Sequence, residues 1–209
     1  MYVVVNAATS ADGKLSSRRR EQLRISGPED FARVDDLRAA SDAIVVGVGT
    51  VLADDPHLTL DAGDAHPTRV VADSRARTPP DARVLDDVAP TVVLVSAAAP
   101  DARVEALEAA GATVLEAGEQ RVDLAAAFDA LEARDIERTM VEGGGELIFS
   151  LFEAGLVDEL SVFVGPLVIG GRDAPTLADG AGFVEDFPRL DLDAVDRLDE
   201  GVLLTWTVD

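Results

Sequence analysis

A short strand that runs straight into glycines and then into a helix occurs twice in this chain, and that junction limits its architecture more than any other feature. Residues 43–46 read as a continuous apolar strand ended by Gly47–Val48–Gly49, with a helical turn over 50–53. Residues 138–141 read as a strand entering Glu142–Gly143–Gly144–Gly145, with a helix over 146–153 stopped by Gly155. An unbroken apolar strand is buried on both faces, which requires helices packed against it and favours parallel pairing. Further strands are expected over 2–7, 68–72, 91–96, 113–116 and 159–164, and further helices from Gly27–Pro28–Glu29–Asp30 to Ala40–Ser41, over 102–110 and over 124–133. Pro near the first turn and acids at its positive end suit the first of these helices. Segments 190–198 and 201–208 form an antiparallel hairpin around Asp199–Glu200–Gly201. The expected fold is a single-domain α/β structure over 1–209, a mixed sheet with helices on both faces closed by that hairpin. Residues 9–20, 61–67 and 98–100 are expected loops, too short to separate domains.

Composition decides what such a fold would bind. Asp and Glu number 40 against 18 Lys and Arg, a net charge of −22. A polyanion would be repelled, so nucleic acid is excluded as a non-specific partner, as is an anionic lipid surface. No apolar run reaches membrane-spanning length, and 1–5 read as a first strand rather than a leader. Without cysteine, and with only His57 and His66, no thiolate metal site or disulfide can form and no metal is expected. The cytoplasm is the expected compartment. The acids are spread along the chain, and Lys14 is the only lysine. Dispersed acidity with lysine depletion suits concentrated salt, because at ~1 M the Debye length is ~3 Å and self-repulsion is screened. A protein that works in concentrated salt is therefore expected.

Three glycines let a backbone approach a ligand closely, and the following helix start offers unpaired N–H groups and a positive dipole end. The Glu142–Gly145 junction thus suits a phosphate, although a tight strand–helix turn alone explains the same residues. It lacks the Gly-x-Gly-x-x-Gly spacing of a dinucleotide fingerprint in the first unit. Glu146 favours the helix but would repel a phosphate. Gly47–Val48–Gly49–Thr50 with Asp54–Asp55–Pro56 is a second strand-end candidate, or else a helix start with solvated acids. Lys14, in the turn Asp12–Gly13–Lys14, stands out against a composition that avoids lysine; an ammonium suits acid catalysis or carbonyl chemistry. Arg18, Arg19, Arg20, Arg24 and Arg38 concentrate positive charge for an anionic ligand, or simply offset local acids.

Taken in order, these residues resemble the riboflavin-pathway reductases: the archaeal and fungal diaminohydroxyphosphoribosylaminopyrimidine reductases and the C-terminal reductase domain of the bacterial bifunctional deaminase–reductase. The resemblance spans essentially the whole chain. It rests on Ser10–Ala11–Asp12–Gly13–Lys14, Arg24–Ile25–Ser26, Leu37–Arg38–Ala39, the stretch from Val46 to Pro56, Val71–Ala72–Asp73–Ser74, Glu142–Gly143–Gly144–Gly145, Gly155–Leu156–Val157–Asp158–Glu159 and Gly170–Gly171.

The resemblance implies a dihydrofolate-reductase-like fold, usually a homodimer. It implies hydride transfer from NADPH, with NADH the alternative, to C1′ of 2,5-diamino-6-ribosylamino-4(3H)-pyrimidinone 5′-phosphate. It implies cofactor contacts at Thr50, Asp54, Ser74, Arg75, Gly143, Gly144, Gly145 and Glu146, with Arg75 facing the 2′-phosphate. Asp12, Arg24, Arg38, Leu58 and Glu142 fall on the substrate side, and Lys14 and Glu142 are the candidate catalytic groups near C1′. Two positions depart from the family pattern. Leu60–Asp61 stands where many bacterial members carry arginine, leaving the 5′-phosphate contact to the 18–24 stretch or His57. Glu146 stands where Ser, Thr or Pro is common, which leaves only backbone contacts there. The zinc deaminase signature needs cysteines, so a stand-alone reductase is expected. Competing readings are a dihydrofolate or related pterin or pyrimidine reductase, a non-catalytic NADPH-binding protein and, more remotely, an acidic interaction module.

Overall fold

The computed structural model describes residues 1–21, 23–61 and 66–209; the expected 61–67 loop lies largely outside the described residues. The elements run β1 (Tyr2–Ser10), α1 (Pro28–Ala39), β2 (Ala43–Gly47), α2 (Val48–Asp54), β3 (Thr68–Ala72), β4 (Thr91–Val95), α3 (Asp101–Ala109), β5 (Thr113–Glu116), α4 (Leu124–Glu132), β6 (Arg138–Gly143), α5 (Gly145–Glu153), β7 (Glu159–Gly165), β8 (Leu190–Leu198) and β9 (Gly201–Val208). This is the mixed α/β class expected. By internal contacts the chain divides into two compact units, Arg38–Met140 with Met1, and Tyr2–Leu37 with Val141–Asp209.

In the first unit the strands follow the order β5-β4-β3-β2, all in parallel register. Ile44, Val46, Val71, Val93 and Val95 from the strands form one core with Val48 and Val51 of α2 and Leu107 of α3. Val48 and Val51 lie three residues apart on one helix face, so burying both starts the helix at the strand's end. The expected turn over 50–53 is therefore a seven-residue helix that includes Val48 and Gly49. It ends at Asp55, whose φ of 42° breaks the helix while its N–H still reaches Val51 O. Arg69 and Asp73 are both fully buried in this unit. Arg69, fully buried on β3, donates to the Asp86 carboxylate at 2.6 Å and to the backbone oxygens of Asp86 and Ala89. Burial works to raise the Asp86 carboxyl, but the Arg69 hydrogen bond and charge, with Val88 N–H and His57, hold it below its ordinary value.

In the second unit the order is β1-β7-β9-β8. β1 and β7 are parallel, and β9 runs antiparallel to β7 and β8. β1 is longer than the expected 2–7. Its ladder with β7 continues through Thr9↔Val164 and Ser10↔Gly165, so these residues, expected in a loop, are strand and buried. The hairpin is as expected, with a bulge between Leu192 and Ala194.

The entry to α1 is completed from far along the chain. Asp199, in the β8–β9 turn, accepts from Glu29 N and Asp30 N at 3.2 and 3.0 Å, and its own N–H donates to Glu29 Oε2 at 3.1 Å. A Cβ on Gly27 would lie 2.3 Å from that carboxylate, so glycine makes the room. Behind this cap, buried Asp30 accepts from Ser26 Oγ and from Arg33 Nε and Nη2. Arg33 also donates to Asn6 Oδ1 on β1 and Ser161 Oγ on β7.

Candidate active site

The glycine junction is tighter than the sequence suggests. Glu142 and Gly143 end β6 and Gly145 begins α5, so strand passes to helix through Gly144 alone. Strand and helix each extend past their expected limits of 141 and 146. Gly143 has φ +126°, a value side chains rarely adopt, and a Cβ there would meet nothing within 4 Å. Gly145 is the opposite case: a Cβ would lie 2.3 Å from Thr176 O. The first N–H groups of α5 have no acceptor within the helix. Leu147 N and Ile148 N both turn back to Gly144 O, which leaves the helix start and the open side of Gly143 suited to an anion. Glu146 lies in this first turn and Glu142 is half-buried.

Lys14 is held by a compact turn. Ser10 N donates to Lys14 O at 2.9 Å, Lys14 N donates to Ser10 Oγ at 3.0 Å, and Gly13, at φ +76°, closes the bend. The lysine pairs with Thr176 in an isolated antiparallel bridge, and Nζ donates to Ala174 O at 3.4 Å. Asp12 bonds to the same region of the chain. Its carboxylate accepts from Ser10 Oγ at 2.7 Å, Ile169 N at 2.9 Å and Gly170 N at 2.7 Å. Led by the Ser10 hydrogen bond and then that of Ile169 N, these donors lower its pKa to about 2 against the opposing effect of desolvation.

The sequence reading assigned nothing to residues 167–179, yet this segment reaches both features. Its near end meets the Lys14 turn through Ala11 N→Leu167 O and Leu15 N→Pro175 O. Its far end meets α5 through Asp179 N→Gly145 O. Between them Asp179 accepts from Thr176 N and Oγ1. The only sequence signal was the Gly170–Gly171 pair. In the arginine stretch, exposed Arg19 pairs with Glu21 at 4.0 Å, and the exposed Arg24 guanidinium lies 5.6 Å from the centre of the Phe31 ring.

In the first unit, Thr50 and Asp54 are four residues apart on α2 and share a face. Neighbouring protein raises the Asp54 carboxyl above its ordinary value although the residue keeps an exposed surface. Ser74 and Arg75 follow the C-terminal end of β3. Ser74 Oγ accepts from Val122 N at 2.9 Å, which leaves its hydroxyl hydrogen to donate. Arg75 is exposed and donates to Ala98 O and Gln120 Oε1 at 3.1 and 3.3 Å. The turn carrying both is fixed by Asp73, a fully buried carboxylate that accepts from Thr78 N and Oγ1 at 2.7 and 2.8 Å. Arg38 Nη1 donates to Thr59 O at 3.1 Å. The Leu58 side chain is core, so its backbone, at φ +54°, is what it can offer a ligand. His57 Nδ1 lies 3.2 Å from Asp86 Oδ2.

These features have close relatives among known proteins. The family model described as RibD C-terminal domain matches residues 1–204. The 2,5-diamino-6-ribosylamino-4(3H)-pyrimidinone 5′-phosphate reductase of Archaeoglobus fulgidus is 47% identical, with 98% of this chain and 96% of that protein aligned. The protein of the same name from Methanothermobacter thermautotrophicus is 48% identical, with 99% and 98% aligned. Among solved structures, a pyrimidine reductase-like protein from Corynebacterium diphtheriae gives a TM-score of 0.84 at 21% identity, covering 100% of this chain and 92% of its own. Dihydrofolate reductase from Enterococcus faecalis gives 0.55 at 12% identity, covering 100% and 96%. The two structures speak to the fold, which is the one expected.

Proposed function

The chain belongs to the RibD C-terminal domain family, and we propose that it reduces the ribosyl group of 2,5-diamino-6-ribosylamino-4(3H)-pyrimidinone 5′-phosphate to the ribityl product in riboflavin biosynthesis, using NADPH. The observation that carries this reading is the end-to-end similarity, near half identical, to two archaeal proteins of that name. All 209 residues serve as one reductase domain.

The residues present fit the cofactor. The open side of Gly143 and the unpaired N–H groups at the start of α5, Gly145 and Glu146 included, suit a pyrophosphate by backbone alone. Thr50, Asp54 and Ser74 supply polar groups at the strand ends of the first unit. The exposed fork of Arg75 suits a 2′-phosphate. When bound, NADPH supplies the hydride accepted at C1′.

The chain's own task is to place the substrate and manage a proton. As the furanose opens toward an imine, its departing ring oxygen needs a proton, and the Lys14 ammonium is the donor. Glu142 orients the sugar, with Arg24, Arg38 and the Leu58 backbone on the substrate side. The enzyme works as a homodimer in the cytoplasm of a salt-adapted archaeon. The dimer is supported by β8, on which Leu192 and Val195 are each 58% exposed. Val162 and Phe163 of β7 are buried within the protomer and have no surface to offer that contact. The salt adaptation is supported by the charge of −22 with a single lysine.

The test is NADPH oxidation by the purified protein. Turnover is expected with the ribosylaminopyrimidine phosphate and not with dihydrofolate. The reverse preference would make it a pterin reductase, and cofactor binding without turnover of either would make it a binding protein. Lys14→Met is expected to lower kcat by about 100-fold or more while leaving NADPH affinity within about twofold; a near-normal kcat would remove Lys14 from the chemistry.

A further inference from the structure

We infer that Asp12 is a positioning residue for Lys14, its carboxylate tying the lysine's turn to the 167–179 segment rather than meeting substrate. The inference rests on the proposed role of Lys14. The carboxylate already accepts three hydrogen bonds, from Ser10 Oγ, Ile169 N and Gly170 N. A carboxylate offers about four lone-pair sites, so little capacity is left for a ligand. Two of its three donors lie more than 150 residues away in sequence, so its main effect is to join two segments.

The joined segments bear on Lys14 from both sides. Ser10, the near donor to Asp12, also accepts from Lys14 N through the same hydroxyl oxygen. The far segment runs on from Gly170 to Ala174, whose carbonyl takes the Lys14 ammonium, and to Thr176, which pairs with the Lys14 backbone. Asp12 and Lys14 thus grip the same strap two residues apart, and Ala11 and Leu15 bond to it on either side. Releasing Ile169 and Gly170 would free the carbonyl against which the ammonium is set. A displacement of about 1 Å at a catalytic group can cost about 100-fold in rate.

Because Lys14 is the only lysine in the chain, reductive methylation with a carbon-13 label gives one lysine dimethylamine resonance, which reports its surroundings without any assay of turnover. In Asp12→Asn this resonance is expected to shift or broaden, and the amides of Ile169 and Gly170 are expected to exchange faster. In the unlabelled variant, kcat is expected to fall about 10- to 100-fold, with KM for both reactants within about twofold. Ser10→Ala, which removes a donor to Asp12 and the acceptor of Lys14 N, is expected to move the same signals less; it serves if Asp12→Asn fails to fold.

A substrate KM that rises while kcat holds would overturn the inference in favour of direct binding by Asp12. A fall in kcat with an unmoved Lys14 resonance would overturn it too, as would unchanged kcat and resonance. If Lys14→Met retains full turnover, the catalytic premise fails. The resonance and exchange data would then still decide whether Asp12 holds the turn.

Discussion

The carbonyl oxygen of Thr176 occupies the space in which a β-carbon of Gly145 would lie, 2.3 Å from its built position. The third glycine of the cluster is therefore explained by the protein's own strap, whereas Gly143 faces open space and is the one whose bareness a ligand can use.

Gly145→Ala should push the strap away from α5, destabilising the protein by about 1–3 kcal/mol and weakening NADPH binding. Gly49→Ala is the contrasting variant. That glycine lies in the first turn of α2 with nothing within 4 Å of a Cβ, so alanine should stabilise by about 0.5–1 kcal/mol. Thermal unfolding and cofactor titration of the two variants check both signs.

Arg75→Ala should raise KM for NADPH by about 10- to 100-fold and leave KM for NADH nearly unchanged, since only one of the two carries the phosphate matched to the guanidinium. The side chain is exposed, so stability should change by less than about 0.5 kcal/mol. Equal losses with both cofactors would show that Arg75 does not read the 2′-phosphate.

Asp54 carries a pH signature. Its carboxyl is raised by burial, so the folded state disfavours its ionised form. The resulting cost is absent below the unfolded carboxyl pKa and fully present above the folded one. Asp54→Asn should therefore raise Tm at neutral pH, lose that advantage in acid, and bind NADPH more weakly. Melting curves across the acid range, with a cofactor titration at neutral pH, test the combination.

The midpoint of unfolding should climb as KCl rises from dilute to molar concentrations, because the −22 charge repels itself when unscreened. For a chain of this size each kcal/mol recovered is worth about 2–4 °C. A flat profile would count against salt adaptation.

The sequence was most legible where local chemistry decides structure. Alternating apolar strands and helices gave the α/β class, and a lone lysine against an acidic background marked Lys14. It was least legible at the C-terminal ends of strands. Gly47 and Gly143 read as breaks, yet Gly47 has extended backbone and Gly143 completes β6. A ladder partner decides this, and residue preference cannot see it. Ser10 was placed in a loop for the same reason. The strap at 167–179 has no period to read, and its role arises from contacts with Asp12 and Gly145 more than a hundred residues from one or tens from the other. Arg69 had no signal of its own in the sequence, and its burial depends on Asp86 and backbone carbonyls more than a dozen residues away.

The reciprocal bonds between Asp199 and the start of α1 imply an order of assembly. A twelve-residue helix is marginal by itself in water, and the acceptor for its first turn is 170 residues downstream. On the ribosome, that turn stays unsecured until the β8–β9 turn has emerged. The network that sets Arg33 between Asn6 and Ser161 waits with it. The unit that carries Lys14 thus closes only after the strands of the other unit have been made, with α1 locked by a turn synthesised 170 residues later.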